Sequence, residues 1–233
     1  MTLLHHAILQ RRQSDIKLLI KHGADVNAYL PQTARRPDRK ELPRQQLLLA
    51  KDDRDYTPLL LASGDPNTLP IFQLLLDSGA NPNFFFPVIG KLIFRHFIGP
   101  ILTISEGDAH LNCCCAEYYL PFARALVKAG ANVDFRDRDS GYSALFWAVV
   151  CGNPELVNLL LDHGADINIK SHRNTGGLTP LHQAVSINHD TEASILIQRG
   201  ADLTIRDADG LTPLERAKRY KHAKMVKLLS NKA

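Results

Sequence analysis

Residues 179–204, TPLHQAVSINHDTEASILIQRGADLT, contain a full set of the local signals that decide this fold. The Thr179 hydroxyl is suited to cap a helix N-terminus, and Pro180 is pre-set for the first helical turn. A second helix then ends at Gly200, which can take the left-handed conformation that a helix C-terminus needs. The stretch therefore predicts two consecutive helices followed by an outward loop.

The same pattern recurs along the chain at a fixed distance. The capping hydroxyl residue lies 21 residues before a glycine in three segments, Thr2–Gly23, Ser143–Gly164 and Thr179–Gly200. Gly-Ala-Asp or Gly-Ala-Asn begins at five positions, Gly23, Gly79, Gly130, Gly164 and Gly200. Small residues in the first helices let neighbouring helices approach closely: Ala7, Ala62, Ala148, Ala184 and Ala217. Because one helix pair cannot bury its own apolar face, we expect the pairs to stack and share a continuous core.

The segment TPLHQA at 179–184 resembles the start of an ankyrin repeat, whose mark is TPLHxA followed by two helices in about 33 residues. The resemblance implies an all-α ankyrin-repeat solenoid of six helix-turn-helix repeats with hairpin loops and two insertions. We expect a single domain over residues 1–233, with repeats at about 1–28, 56–83, 99–135, 142–169, 178–205 and 211–233. The last helix pair is polar outside, as a capping repeat should be, through Lys218, Arg219, Lys221, Lys224 and Lys227.

Two insertions interrupt the N-terminal half of this array. The first, at about 29–55, is charged and contains proline, and it predicts an extended loop with a short helix near 45–51. The second lies at about 84–98, with extra residues at about 108–119. This placement puts the two helices of the third repeat at about 100–106 and 120–129. A rival register would start the first of these helices near Ala109.

Composition and charge limit the classes of function. The chain has 233 residues, a formal net charge of +4 and a pI of about 8.9, which is too mildly basic to predict a nucleic-acid partner. The four cysteines show neither disulfide-framework nor zinc-ligand spacing, so we expect free thiols in a reducing compartment such as the cytoplasm. Residues 84–98 are apolar but contain Lys91 and Arg95, which argues against a membrane span. We expect a monomer.

Nothing in the sequence predicts catalysis. The nucleophile elbow GxSxG, the P-loop, the HExxH zinc motif and the dinucleotide fingerprint are all missing, and no acid–base pair accompanies a nucleophile. The three adjacent cysteines at 113–115 diverge from one another, so they cannot easily share one tetrahedral ion. In the ankyrin pattern the histidine of TPLH, here His182, bonds the loop between repeats. We therefore expect neither an enzyme nor a cofactor or metal site.

The ankyrin resemblance implies a protein partner on the concave side, which first helices and hairpin tips form in this family. The candidate partner-binding residues on that side are Tyr142, Trp147, Val150, Ser186, Ile187, Arg138, His172, Arg173, Arg219 and Tyr220. Trp147 stands where the family places an aliphatic core residue, so a core role is its default interpretation. Phe85, Phe94 and Phe97 lie in the second insertion, which either packs over the neighbouring repeat or forms an exposed hydrophobic hook.

The resulting hypothesis is a scaffold or adaptor that binds a protein through the concave face and the inserted loops. The alternative is a polyanion- or small-ligand-binding module that uses basic loop residues between Arg35 and Arg44, with an origin as a microbial effector in a host cytosol also open. Asn27 and Asn168 resemble the sites that asparaginyl hydroxylases modify in ankyrin proteins. The same two side chains could instead simply bond the hairpin backbone.

Overall fold

The computed structural model describes residues 2–28, 57–63, 66–84, 120–136 and 140–231. Several sequence predictions lie outside these residues: the first insertion, the short helix near 45–51, the stretch 85–98, the helix at about 100–106 and its rival register. The helix predicted at about 120–129 is found at residues 120–128.

The described residues are mostly helical. The α-helices are α1 Leu3–Leu9, α2 Gln13–Lys21, α3 Pro58–Leu61, α4 Leu69–Asp77, α5 at 120–128, α6 Ala144–Val150, α7 Pro154–Asp162, α8 Pro180–Ser186, α9 Asp190–Gln198, α10 Pro213–Arg219 and α11 Ala223–Ser230. Short 3₁₀ helices span Pro66–Thr68, Pro82–Phe84 and Arg173–Thr175. The part of the chain that the structure describes contains no strand, and its single isolated β-bridge pairs Arg136 with Ser143. The prediction of an all-α chain is confirmed.

Each described first helix begins directly after a hydroxyl residue, as predicted for Thr2, Ser143 and Thr179. The side-chain oxygen accepts a backbone N–H three residues further on, at 3.2–3.3 Å, at Thr2, Thr57, Ser143, Thr179 and Thr212. Proline stands in the first turn of α3, α8 and α10. These bonds satisfy N–H groups that a helix start leaves without an intrahelical partner, so the local sequence alone determines where these helices begin.

The second helices end as the glycines predict. Gly164 has φ +83° and Gly200 has φ +90°, a region that only glycine adopts without cost. The next residue then donates its N–H back into the last helical turn, from Ala165 to Leu160 at 3.0 Å and from Ala201 to Leu196 at 2.9 Å. This closure satisfies carbonyls that the helix end would otherwise leave without a partner.

The described residues form two compact units. The first contains the described residues up to 84 together with 120–131, and the second contains 132–136 and 140–231. In the first unit α1 packs against α2 and α3, and α2 packs against α4. Its core includes Phe72, whose ring meets that of Phe122 edge-on with a centroid distance of 5.0 Å.

The second unit contains three consecutive helix pairs. The first helix α8 packs between α6 and α10, while the second helix α9 contacts both α7 and α11. The small residues predicted for close helix approach, Ala148, Ala184 and Ala217, are completely buried. Larger apolar side chains of the second helices, such as Leu160 and Leu196, complete the core beside them. The apolar faces of neighbouring pairs therefore bury one another, which is the packing that a repeat array requires.

Candidate functional site

The C-terminal ends of three first helices supply equivalent surface positions in the second unit. The last helical residues of α6, α8 and α10 are Val150, Ser186 and Arg219, and each is followed by a C-cap residue: Cys151, Ile187 and Tyr220. The α6 and α8 residues are half-buried, whereas both α10 residues are exposed. Because α6, α8 and α10 pack in series, these ends form a row along one side of the unit. We call these six residues the first-helix row.

Trp147 does not belong to this surface, which corrects its assignment as a partner-binding residue. Only 5% of the residue is exposed. The Tyr142 ring covers it edge-on at a centroid distance of 5.1 Å and also stacks on Phe146 at 4.0 Å. Trp147 points into the core because it lies one helical turn into α6, on the face that the neighbouring elements cover. Tyr142 itself is half-buried and presents the outer surface of this aromatic group.

Arg216 joins the end of α8 to the end of α10, a role that no motif in the sequence predicted. Its Nε donates to Ser186 Oγ at 2.7 Å, and an Nη donates to the Tyr220 hydroxyl at 3.3 Å. The guanidinium carbon also lies 5.3 Å from the centre of the Tyr220 ring, within cation–π range. Arg216 thereby holds two members of the first-helix row in place. The only signal in the sequence was its position four residues before Tyr220, which puts both on one helix face.

The other Nη group of Arg216 forms an ion pair with the Asp207 carboxylate, which is fully buried. Asp207 also accepts the backbone N–H groups of Asp209 at 2.9 Å and Leu211 at 3.0 Å. Burial by itself raises the pKa of Asp207, but the bonds from Leu211 and Arg216 outweigh it, so the pKa is lowered. Asp207 is therefore a buried anion that fixes both the hairpin loop and the Arg216 side chain.

The hairpin loops of the second unit bond to one another. The His172 N–H donates to the Ser140 carbonyl at 2.9 Å, and the Ala208 N–H donates to the Gly176 carbonyl at 2.9 Å. A side chain at Gly141 would clash with His172, since a Cβ there would stand 2.3 Å from the imidazole Cδ2. The loops therefore present a fixed surface, on which His172 is half-buried and Arg173 is exposed. Arg138, Phe85, Phe94 and Phe97 lie outside the described residues.

His182 has the structural role predicted for it. It is fully buried, its Nε2 lies 3.0 Å from the Leu211 carbonyl oxygen, and its Nδ1 lies 2.8 Å from Thr179 Oγ1. Burial lowers the pKa of His182, and the Leu211 bond only partly offsets this effect. The neutral ring donates from Nε2 and accepts at Nδ1, so both nitrogens are occupied and neither is available for catalysis.

Comparison with known proteins identifies the family. A family model described as ankyrin repeats in three copies matches residues 89–171 and 169–233, and a single ankyrin-repeat model matches residues 1–29. The chain belongs to the ankyrin-repeat family. An ankyrin repeat domain from Acinetobacter baumannii has the same fold, with a TM-score of 0.67 at 21% identity, covering 98% of this chain and 96% of that one. Ankyrin repeats generally mediate protein–protein interaction, and the fold is typically a non-catalytic binding module.

Among the curated relatives, the ankyrin repeat protein FPV031 of fowlpox virus is 30% identical over 180 residues, which are 75% of this chain and 47% of the viral one. The ADP-ribosylation factor GTPase-activating protein AGD2 of Arabidopsis thaliana is 43% identical over 77 residues, or 33% of this chain and 10% of that protein. The mouse ankyrin repeat and SOCS box protein 6 is 36% identical over 115 residues, covering 47% and 26%. The chain thus spans less than half the length of each of these relatives.

The two asparagines that resemble hydroxylation sites join neighbouring ankyrin repeats. Asn27 donates from Nδ2 to the Gly79 carbonyl at 3.1 Å and accepts the Asn81 N–H at 2.8 Å. Asn168 accepts the Asp202 N–H at 2.9 Å. Both side chains therefore bond hairpin backbone, which is the structural alternative that the sequence left open.

Two further features concern only the described part of the chain. Its His, Cys, Asp and Glu side chains contain no group of three that could hold a metal ion. Among the same residues, every helix is too short or too polar to cross a lipid bilayer.

Proposed function

We propose that this ankyrin-repeat chain binds a protein partner through the first-helix row together with Tyr142, His172 and Arg173. The proposal is based on the C-terminal ends of the first helices, which are accessible in each of the three repeats. The residues that precede the row in α6 and α8, Val149 and Val185, are fully buried, yet the helix ends beside them remain accessible. The repeat architecture thus aligns accessible side chains from three helices on one side.

The bonds around these residues favour binding at little cost in ordering. Arg216 holds Ser186 and Tyr220, and the loop at His172 is tied to Ser140. A surface that is already fixed loses less side-chain entropy when a partner docks. Its mixture of aromatic, aliphatic and arginine side chains is also typical of the residues that dominate binding energy in protein interfaces.

The proposed roles of the two insertions come from the sequence. Phe85, Phe94 and Phe97 remain candidates for a hydrophobic hook, and the basic loop between Arg35 and Arg44 remains the candidate for an anionic ligand. Action inside a host cell, as a microbial effector, also remains part of the proposal. A cytoplasmic location remains part of the proposal.

The test compares partner recovery by two matched double variants. V150E/I187E places two carboxylates in the first-helix row, while L3E/L18E makes the same change at two exposed leucines of the first unit. Proximity labelling in cells with quantitative mass spectrometry should recover the wild-type partners with L3E/L18E but not with V150E/I187E. Circular dichroism checks that both variants are folded. Equal recovery by the two variants would contradict the proposed surface.

Hydroxylation of Asn27 and Asn168 is a separate proposal on the same chain. Both residues are half-buried, so an enzyme could reach them only after the hairpin bonds of the repeat open. Co-expression with an asparaginyl hydroxylase, followed by intact-mass analysis, should show the gain of one oxygen. A mass that does not change would end this idea.

A further inference from the structure

Two groups of cations in the second unit differ in their acidic partners. Four arginines each have an acidic partner: Arg199 with Asp162, Arg206 with Glu215, Arg216 with Asp207 and Arg219 with Asp209. By contrast, four exposed lysines, Lys218, Lys221, Lys224 and Lys227, have no acidic partner among the described residues. All four lie in the α10–α11 repeat. Elsewhere in the described part of the unit, Arg136 and Lys170 donate to backbone carbonyls, and Arg173 is exposed without an acidic partner. The α10–α11 repeat therefore holds the largest group of cations that lack an acidic partner.

These lysines follow one another closely along the helix pair. They recur every third residue through the last turn of α10, the connecting turn and α11. On α11, Lys224 and Lys227 lie on one side because residues three apart are neighbours on a helix surface. The only acidic side chain from 212 to 233 is Glu215, and Arg206 already pairs with it. No nearby carboxylate of this segment neutralises the lysines.

A polar outer face does not by itself explain this charge. A mixture of acidic and basic residues would supply that polarity equally well. The first turns of α2, α7 and α9 contain Asp15, Glu155 and Asp190, respectively. Those of α4 and α11 contain no acidic residue, and α11 has Lys224 there. A cation in that place is disfavoured by the helix dipole. Lys224 therefore lies where the helix dipole makes a positive charge unfavourable.

Tyr220 adds a fixed aromatic ring to the lysines. It is 46% exposed, and it lies between Lys218 and Lys221 in the sequence. Arg216 holds its hydroxyl at 3.3 Å, and the His222 ring lies beside it with a centroid distance of 5.9 Å. Exposed tyrosines that are already oriented are frequent anchors of protein interfaces.

We propose that Lys218, Lys221, Lys224, Lys227 and Tyr220, the terminal cationic surface, bind an acidic segment of a protein partner that also carries an apolar side chain for Tyr220. This inference rests on the proposed function and names the chemistry of the partner. Aspartate and glutamate side chains of the segment face the four lysines, and the charge pairing accelerates the encounter more than it slows dissociation. The aromatic contact supplies the part of the affinity that salt does not screen.

The confinement of the charge favours a short acidic peptide over a long polyanion. Residues 132–211 contain six Lys or Arg and eleven Asp or Glu, whereas residues 212–233 contain seven Lys or Arg and one acidic residue. A long polyanion that reached beyond the α10–α11 repeat would meet a segment in which acidic residues outnumber basic ones. A peptide can remain on the α10–α11 repeat and avoid this repulsion.

The test measures binding of a fluorescein-labelled peptide of four Glu-Glu-Phe repeats to the whole chain by stopped flow and fluorescence anisotropy. The test variant is K218Q/K221Q/K224Q/K227Q. The control variant, K17Q/K21Q/R124Q/K128Q, removes four exposed cations of the first unit and changes the net charge equally. At about 25 mM salt the test variant should associate about tenfold more slowly than wild type, and the difference should shrink at high salt. The control should match wild type.

Tyr220→Ala should speed peptide dissociation severalfold at every salt concentration, while Tyr220→Phe should change it little. A peptide of Gln-Gln-Phe repeats should bind much more weakly than the acidic one. Tighter binding to vesicles containing phosphatidylserine, or to a short DNA duplex, would overturn the assignment to an acidic protein segment. So would equal binding by the test and control variants, or no binding of the acidic peptide to wild type.

The cellular partner experiment separates this inference from the proposed function. If the four-lysine variant recovers all partners while V150E/I187E loses them, the first-helix row binds protein and the proposed role of the terminal cationic surface is wrong. If both variants recover all partners, the proposed function itself fails.

Discussion

The α8–α9 repeat and the α10–α11 repeat share one backbone plan. In each, a threonine caps the first helix, and a left-handed residue joins the two helices, Asn188 with φ +58° and Lys221 with φ +59°. The following histidine, His189 or His222, bonds through Nδ1 to a first-helix carbonyl of the preceding repeat, at 3.0 and 2.8 Å. The backbone of the two repeats is therefore set by the same few residues.

Their side chains differ at equivalent positions. The third residue of the first helix is the buried, neutral His182 in α8 but the half-buried Glu215 in α10, which pairs with Arg206. The sixth is the fully buried Val185 in α8 but the exposed Lys218 in α10. Local sequence signals therefore set the backbone of a repeat, while contacts with neighbouring repeats determine whether a given position is apolar, neutral or charged.

The largest effect is expected from the ion pair that links the two repeats. Arg216→Met leaves the Asp207 carboxylate buried without its cation, so the free energy of unfolding should fall by about 3 kcal/mol. Arg206→Met, which removes the exposed pair with Glu215, should cost far less, because solvent screens exposed ion pairs. Urea denaturation measures both values. Similar losses for the two variants would show that burial of the pair is not what matters.

The next largest loss of stability is expected where neighbouring first helices pack closely. Ala184 lies in α8 between two first helices, so Ala184→Leu should overpack the core and cost about 2 kcal/mol. Ala217→Leu, in α10, should cost less because only α8 among the described first helices packs beside it. The shift in the urea midpoint measures the difference. A larger cost at Ala217 would contradict the proposed difference in crowding.

The capping side chains of His182 and Glu215 should lose their contributions to stability over different ranges of pH. Burial lowers the pKa of His182, so its neutral form stabilises the fold above the unfolded pKa near 6.5, and this contribution is lost as pH falls through the folded value. The Thr212 N–H lowers the pKa of Glu215, so its contribution is lost only at more acidic pH. Between pH 7.5 and 5.5, wild type should lose more stability than His182→Gln. Parallel pH profiles for the two proteins would refute this role of His182.

The smallest effect is expected at the left-handed residues. Lys221→Gly should stabilise the protein by about 0.5 kcal/mol, because a left-handed lysine costs more than the added chain entropy of glycine. Asn188→Gly should change stability little, since asparagine tolerates this conformation. Thermal unfolding of both variants measures the contrast. A loss of stability in Lys221→Gly would mean that its side chain makes a stabilising contact.

Much of the fold could be predicted from the sequence, but much less of the site. The helix starts at Thr179 and Thr212 and the left-handed Gly200 were predictable because capping and termination depend on residues a few positions apart. The bond from His182 to the loop at Leu211 also followed, through the ankyrin resemblance.

A core role was the default interpretation of Trp147, but the sequence left partner binding open as well, because one face of α6 becomes interior only when Tyr142 and the neighbouring elements close over it. The same limit applies to charge. The sequence alone does not show which lysines and arginines have an acidic partner. In the described part of the folded chain, Arg216 pairs with Asp207, whereas Lys218 and Lys224 have no acidic partner. Local hydrogen bonds determine the helices, but partners thirty residues apart in sequence, such as Ser186 and Arg216, meet only through tertiary packing.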